Sequence, residues 1–322
     1  MGAAMSVWEV VLRSVAVLAA FLVLPLLVGF MEHKVMAHMQ ARLGPMYAGG
    51  FHGWAQLIAD AAKFVQKDDL LPTAADKGVF RLAPSLALIP YLVALAVVPL
   101  SPSIVGADAP ASAVVVLAAT AVGVLGGLMA GWASANKYSL LGGLRSAAQL
   151  IAYELPMVLA VASVALAAGT LSLTGIATEW RPWWLLWQLP AAFVFLAGGC
   201  AEIQRPPFDM PLADSEIVFG PYTEYSGLRF ALFLLAEYAG IVLMSLLMSV
   251  MFLGAWHGPW SGPLGWLWTI LKAVPIAFLF LWFRNSWPRL REDQLQRFAW
   301  LVLVPLALVQ LLITAVGVVM MR

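Results

Sequence analysis

Eight long apolar runs limit what this 322-residue chain can become. They fall at about 10–31, 80–100, 112–133, 147–169, 183–201, 228–254, 265–284 and 299–321. Each is long enough to cross about 30 Å of hydrocarbon. A backbone in lipid must satisfy its own hydrogen bonds, so such runs fold as helices. The sequence therefore predicts an all-α polytopic membrane protein of about eight transmembrane helices, one integral domain over 1–322. With 62% hydrophobic and 11% charged residues, a soluble domain is excluded. The first run is too long for a signal-peptide core and no small-residue cleavage site follows, so it is read as a retained helix.

The charges set an orientation. Of 18 Lys and Arg, 14 fall in the odd-numbered connections, three in the even ones or near the termini, and Lys272 lies inside a run. The positive-inside bias then puts the odd connections in the cytoplasm and both termini outside. The inner connections, at about 32–79, 134–146, 202–227 and 285–298, hold nearly all the ionisable groups, so function is expected at that face. A net charge of +1 gives no sign of a nucleic-acid partner.

Cysteine and histidine usage excludes other chemistry. Cys200 is alone, so this chain holds neither a disulfide nor an iron–sulfur cluster. His33, His38 and His52 share one connection, and His257 sits in another; none is placed mid-span to ligate haem or another metal.

The third inner connection, "AEIQRPPFDMPLADSEIVFGPYTEYSG", is unlike the rest. Glu202, Asp209, Asp214, Glu216 and Glu224 face a single cation, Arg205, in a segment stiffened by four prolines. Clustered carboxylates repel, so at least one should bind its proton more tightly than a free acid. Such a segment can dock a partner, line a polar cavity or pass protons. Phe208, Met210, Ile217, Val218 and Phe219 are interleaved, which predicts that the loop folds back on protein rather than lying solvated.

Three ionisable residues fall inside the runs: Glu154, Glu237 and Lys272. Each costs about 2.5–3.5 kcal/mol at a helix centre unless it faces a polar interior. They read either as an intramembrane proton relay or as a static pair such as Glu154–Lys272 that fixes packing. In "GWAQLIADAAKFVQK", Trp54, Leu57, Ile58, Ala61 and Val65 recur at helical spacing opposite Gln56, Asp60, Lys63 and Lys67. This predicts a short amphipathic helix, lying either at the membrane interface or packed as a connector.

Taken in order, these motifs resemble the H subunit of bacterial NADH-quinone oxidoreductase, the counterpart of mitochondrial complex I subunit 1. The resemblance covers nearly the whole chain. It rests on Glu32-His33-Lys34-Val35 and Met39-Gln40-Ala41-Arg42-Leu43-Gly44-Pro45 after the first run. It continues through "NKYSLLGGLRSAAQLIAYE", with Lys137, Arg145, Gln149 and Glu154, and through the acidic loop. "FALFLLAEY" with Glu237, then Pro288-Arg289, Arg291 and Asp293-Gln294, complete it.

The resemblance implies a non-redox anchor subunit in a bacterial plasma membrane. It would join a cytoplasmic redox arm to small membrane subunits and antiporter-like subunits. Quinone, ubiquinone or menaquinone, would be the substrate, while flavin and iron–sulfur clusters would belong to partner subunits. Arg42, Glu202, Arg205, Asp209, Asp214, Glu216 and Glu224 would form the quinone chamber and coupling loop. Glu154, Glu237 and Lys272 would form the relay, and Lys137, Arg145, Arg289, Arg291 and Asp293 the inner-loop contacts. The first run, the amphipathic helix and the sixth run would frame the entrance.

The chain departs from the family pattern in places. Leu212 stands where a carboxylate is common, Asp214 where Glu is usual, Met46 and Leu301 where Asn and Lys are frequent, and His33 where Arg is frequent. Competing readings are the anchor subunit of a membrane-bound hydrogenase or ferredoxin-fed complex, a stand-alone carrier, and a structural scaffold. A carrier would cluster its charges at the midplane around broken helices. A scaffold would not need Glu154, Glu237 and Lys272 in lipid.

Overall fold

A computed structural model describes residues 7–259 and 261–321, and it is helical, with no strand among those residues. The elements are α1 (Val7–Met39), α2 (Gln56–Gln66), α3 (Lys77–Val97), α4 (Ser112–Ala133), α5 (Lys137–Ala168), α6 (Leu173–Glu179) and α7 (Trp184–Trp187). They continue with α8 (Leu189–Glu202), α9 (Asp214–Ile217), α10 (Gly227–Met251), α11 (Ser261–Ser286), α12 (Glu292–Phe298) and α13 (Val304–Met321). A π turn, Ala299–Leu303, joins α12 to α13 in one continuous helical run.

Among the described residues, seven helical segments are long and apolar enough to cross a membrane: α1, α3, α4, α5, α10, α11 and the run through α12 and α13. The expected fifth span differs. It is split at Gln188 into the single turn α7 and the 14-residue α8. Pro190 lies in the first turn of α8, where its missing N–H breaks no bond, and this starts a new helix rather than continuing α7. The buried Gln188 side chain occupies the break, accepting from Ser163 Oγ at 2.9 Å and donating to Thr314 Oγ1 at 3.2 Å.

Caps explain several boundaries. Asp76 accepts from Gly78 N and Val79 N at the start of α3, and Asn136 from Tyr138 N at the start of α5. Gly169, with φ +71°, closes α5 in the left-handed conformation that glycine adopts freely. Small residues let the central helices approach closely: a Cβ on Gly126 would meet Ala87 N at 2.5 Å, and one on Gly131 would meet Ser139 O at 2.5 Å.

Large apolar side chains such as Leu12, Ile151, Leu301 and Leu312 point outward, while Glu32, Gln149, Glu202 and Arg205 are buried. This distribution suits a lipid solvent. The amphipathic helix forms as α2, and its ends touch neighbours through Leu57 beside Gly29 and Phe64 beside Phe230. No residue of α2 is buried, and Ile58 and Val65 on its apolar face stay exposed within this chain.

Candidate functional site

The acidic loop leaves α8 at Glu202 and is laid against α5. Gln149, fully buried in α5, donates to Ala201 O at 2.7 Å and to Phe208 O at 2.8 Å. Gln204 donates to Ser146 Oγ at 2.6 Å, and Leu290 N to Pro207 O at 2.9 Å. Phe208, Met210 and Ile217 are buried as the interleaving predicts, whereas Val218 is exposed.

Arg205 is 2% exposed and answers acids from two distant helices. Its Nη1 donates to Glu32 Oε2 of α1 at 2.6 Å. Its Nη2 lies 2.8 Å from Glu237 Oε1 of α10, out of line for a hydrogen bond but well within ion-pair range. Arg284 Nη1 of α11 closes on the other Glu32 oxygen. The Arg205 guanidinium also lies 5.4 Å from the centre of the Tyr238 ring. Burial disfavours its charge, yet Glu237 and Glu32 outweigh that and hold its pKa above the ordinary arginine value. The network ties α1, α10 and α11 to one residue of the loop.

Glu202 is 3% exposed and interacts with Tyr153 and Glu154 of α5 and with Tyr91 of α3. Its Oε1 has no hydrogen-bond partner. A cavity of about 60 Å³ lies between Glu202 and Glu237, bordered by Tyr91, Gln204, Leu212 and Tyr222. One water needs about 10–15 Å³ of such space, so a few fit, and the unpartnered carboxylate oxygen is suited to bind one. Leu212, the position where a carboxylate is missing, is part of this wall.

A second group of charges rims the surface. Arg145 Nη1 meets Glu216 Oε2 at 2.6 Å, and Arg289 Nη2 meets Asp209 Oδ2 at 3.0 Å. Arg145, Glu216 and Arg289 border an open depression of about 550 Å³ together with Arg291 and Asp293, themselves paired at 3.2 Å. Glu224 accepts from Asn136 Nδ2 at 2.6 Å and so joins the loop to the cap of α5. Lys137, next along, is exposed with its ammonium 5.6 Å from the Tyr138 ring centre. Arg42 pairs with Gln40 on the surface at 2.9 Å. The Asp214 side chain lies outside the described residues.

Lys272 stands apart from the two glutamates with which the sequence grouped it. Its ammonium donates to the carbonyls of Leu253, Ala255 and His257 at 2.8, 2.8 and 2.7 Å, beyond the end of α10 remote from the acidic loop. Among the described residues, no carboxylate lies within ion-pair range of it.

Sequence reasoning misses Glu32, Arg284, Tyr91, Tyr153 and Tyr222 as members of the site. Arg205, alone among five acids, signals that an outside partner exists, but nothing in the pattern names Glu32. Arg284 reads as ordinary positive-inside charge, and the tyrosines read as core.

The comparisons point one way. A family described as NADH dehydrogenase matches residues 12–315. A protein named as the H subunit of NADH-quinone oxidoreductase from Geobacillus kaustophilus (strain HTA426) is 43% identical over 290 residues, covering 88% of this chain and 86% of that one. Its namesake from Bacillus cytotoxicus is 44% identical over 287 residues, with 88% and 86% covered. The Geobacillus thermodenitrificans protein of the same name is 43% identical over 290 residues, with 88% and 87% covered.

Proposed function

The chain belongs to the NADH dehydrogenase family, in the branch of the NADH-quinone oxidoreductase H subunits, and from that premise we propose that it walls the chamber where a lipid quinone is reduced and links that reduction to proton pumping. It is a membrane subunit of a multi-subunit oxidoreductase. In this reading α7 and α8 together make an eighth crossing, the charged end faces the cytoplasm of a bacterial cell, both termini lie outside, and partner subunits supply the flavin and iron–sulfur clusters. The redox arm docks over the depression bordered by Arg145, Glu216 and Arg289, and antiporter-like subunits continue the membrane arm.

One observation carries the reading. The acidic loop does not spread its charges in water; it delivers Glu202 and Arg205 into the bundle, on either side of which stand Glu154 and Glu237. Quinone reduction takes up electrons and protons together, so the charge near the loop changes with each turnover. A buried carboxylate beside a small, largely apolar cavity feels such a change strongly, because the local dielectric is low. Protons pass, as we propose, between Glu202, Glu154 and Glu237. Lys272 serves the opposite end of the bundle and takes no part.

The test is quinone-dependent NADH oxidation by the purified assembly, with and without a quinone-site inhibitor, in the wild type and in Glu216→Gln. The Arg145–Glu216 pair is half-exposed, so its loss should cost no more than about 1 kcal/mol and leave assembly intact. Inhibitor-sensitive turnover that falls in the variant, or turnover with a lower proton yield, supports the reading. Quinone reduction from a donor other than NADH keeps the chamber and changes the input module. No quinone reaction from any donor overturns the proposal in favour of a hydrogenase-type anchor.

A further inference from the structure

α1, α10 and α11 enclose a crevice that none of the charged clusters uses. Its volume is about 120 Å³, and Leu24, Val28, Leu246, Ala273 and Val274 supply an almost wholly apolar wall. The polar side chain in it is Ser245, 2% exposed, whose hydroxyl has no hydrogen-bond partner. Ser249, one turn further along α10, differs: its hydroxyl donates to Thr269 O of α11 at 3.0 Å. A buried hydroxyl left unpaired costs free energy that a ligand acceptor would recover.

Three features narrow the occupant. Among the described residues no charged side chain lines the crevice, so an ionic headgroup is excluded. Ile270 to Ala277 lie in the middle stretch of α11 (Ser261–Ser286), away from the interfacial layers where phospholipid ester carbonyls reside. Leu27 and Val274 at its edge are exposed, so it opens on the lipid-facing surface. The seam between α1 and α2 is elsewhere: Gly29 packs near Leu57 and Tyr238, and at 100° per residue it points away from the Leu24–Val28 stripe.

We propose that this crevice is a holding site for a lipid quinone, distinct from the reduction chamber, in which Ser245 Oγ donates to a ring carbonyl. A quinone ring is flat, uncharged and soluble in hydrocarbon, and it carries a carbonyl acceptor at a depth where phospholipids offer none. Its isoprenoid tail leaves between Leu27 and Val274 into the bilayer. The proposal rests on the quinone reading above.

The experiment is photolabelling of the complete complex in lipid nanodiscs with an azido-quinone, followed by peptide mapping. A phospholipid with a photoreactive acyl chain is run in parallel. The expected result is labelling of the 242–246 or 270–277 peptides that excess unlabelled quinone suppresses. Ser245→Ala should reduce it about five-fold, the worth of one hydrogen bond. Ala273→Leu, which fills the crevice, should abolish it while label in the acidic-loop region persists. Label in the loop region alone, or a crevice labelled only by the phospholipid, overturns the holding site and leaves the chamber standing. Absence of quinone label everywhere overturns both readings.

Discussion

Replacing Arg205 by methionine tests the central network most directly. The side chain is 2% exposed and holds Glu32 at 2.6 Å and Glu237 at 2.8 Å. Removing one partner of a buried ion pair costs about 3–5 kcal/mol, because a charge is left without compensation. Two acids lose their cation here, yet Glu32 keeps Arg284, so the expected loss is about 3–4 kcal/mol. That is roughly a 100- to 1,000-fold rise in the population of opened loop. Amide hydrogen exchange across 203–226 in the assembled complex reads this directly. The triple variant Glu32→Gln, Arg205→Met, Glu237→Gln removes the stranded charges as well and should recover at least about 2 kcal/mol of the loss. Exchange in Arg205→Met within about 1 kcal/mol of wild type, or a triple variant no better than the single one, would refute the reasoning, since either means that the acids were never dependent on Arg205.

Other expectations follow from single side chains. Gln149→Leu removes both hydrogen bonds that clamp the acidic loop to α5. Loop opening should become easier by about 1–3 kcal/mol, seen as faster exchange at 203–210 with α5 itself protected. Lys272→Met strips three carbonyls of their donor. Exchange across 252–258 should rise at least about ten-fold, since one charged hydrogen bond is worth about 1.5–3 kcal/mol, while the pH profile of quinone reduction stays unchanged. Gly142→Ala would bring a Cβ to 2.6 Å from Pro221 Cδ and 2.7 Å from Gly220 Cα. Displacing that turn should lower quinone reduction and the thermal inactivation temperature together, as measured on the purified complex.

Hydropathy detects where a helix meets lipid, and this sets what the sequence can reveal. The apolar runs locate every crossing, yet α1 continues to Met39 through "EHKVMAHM" and α5 begins at Lys137, ten residues before its apolar stretch. Those extensions are charged, so they are helical without looking like membrane. The break at Gln188 is hidden for the opposite reason. Its surroundings are apolar enough to read as one span, and the glutamine's partners, Ser163 and Thr314, come from two other helices. The acidic loop announces itself by composition, and its turn back onto protein follows from Phe208 and Met210. Its central pairing does not, because Glu32 and Glu237 meet Arg205 only through the packing of α1 and α10. The grouping of Lys272 with Glu154 and Glu237 shows the same gap: shared depth-cost in a sequence does not mean shared location.

The reach of that network also bears on how the protein is made. Glu32 precedes Arg205 by 173 residues. At about 5–20 residues per second, the ribosome needs roughly 10–35 seconds to supply the partner. Throughout that interval the carboxylate at the end of the first crossing must stay wet, since neither Arg205 nor Arg284, the two cations that hold it in the folded protein, has yet been made. Burial of Glu32 is therefore a late event in biogenesis, and it reports that the loop, α10 and α11 have all arrived.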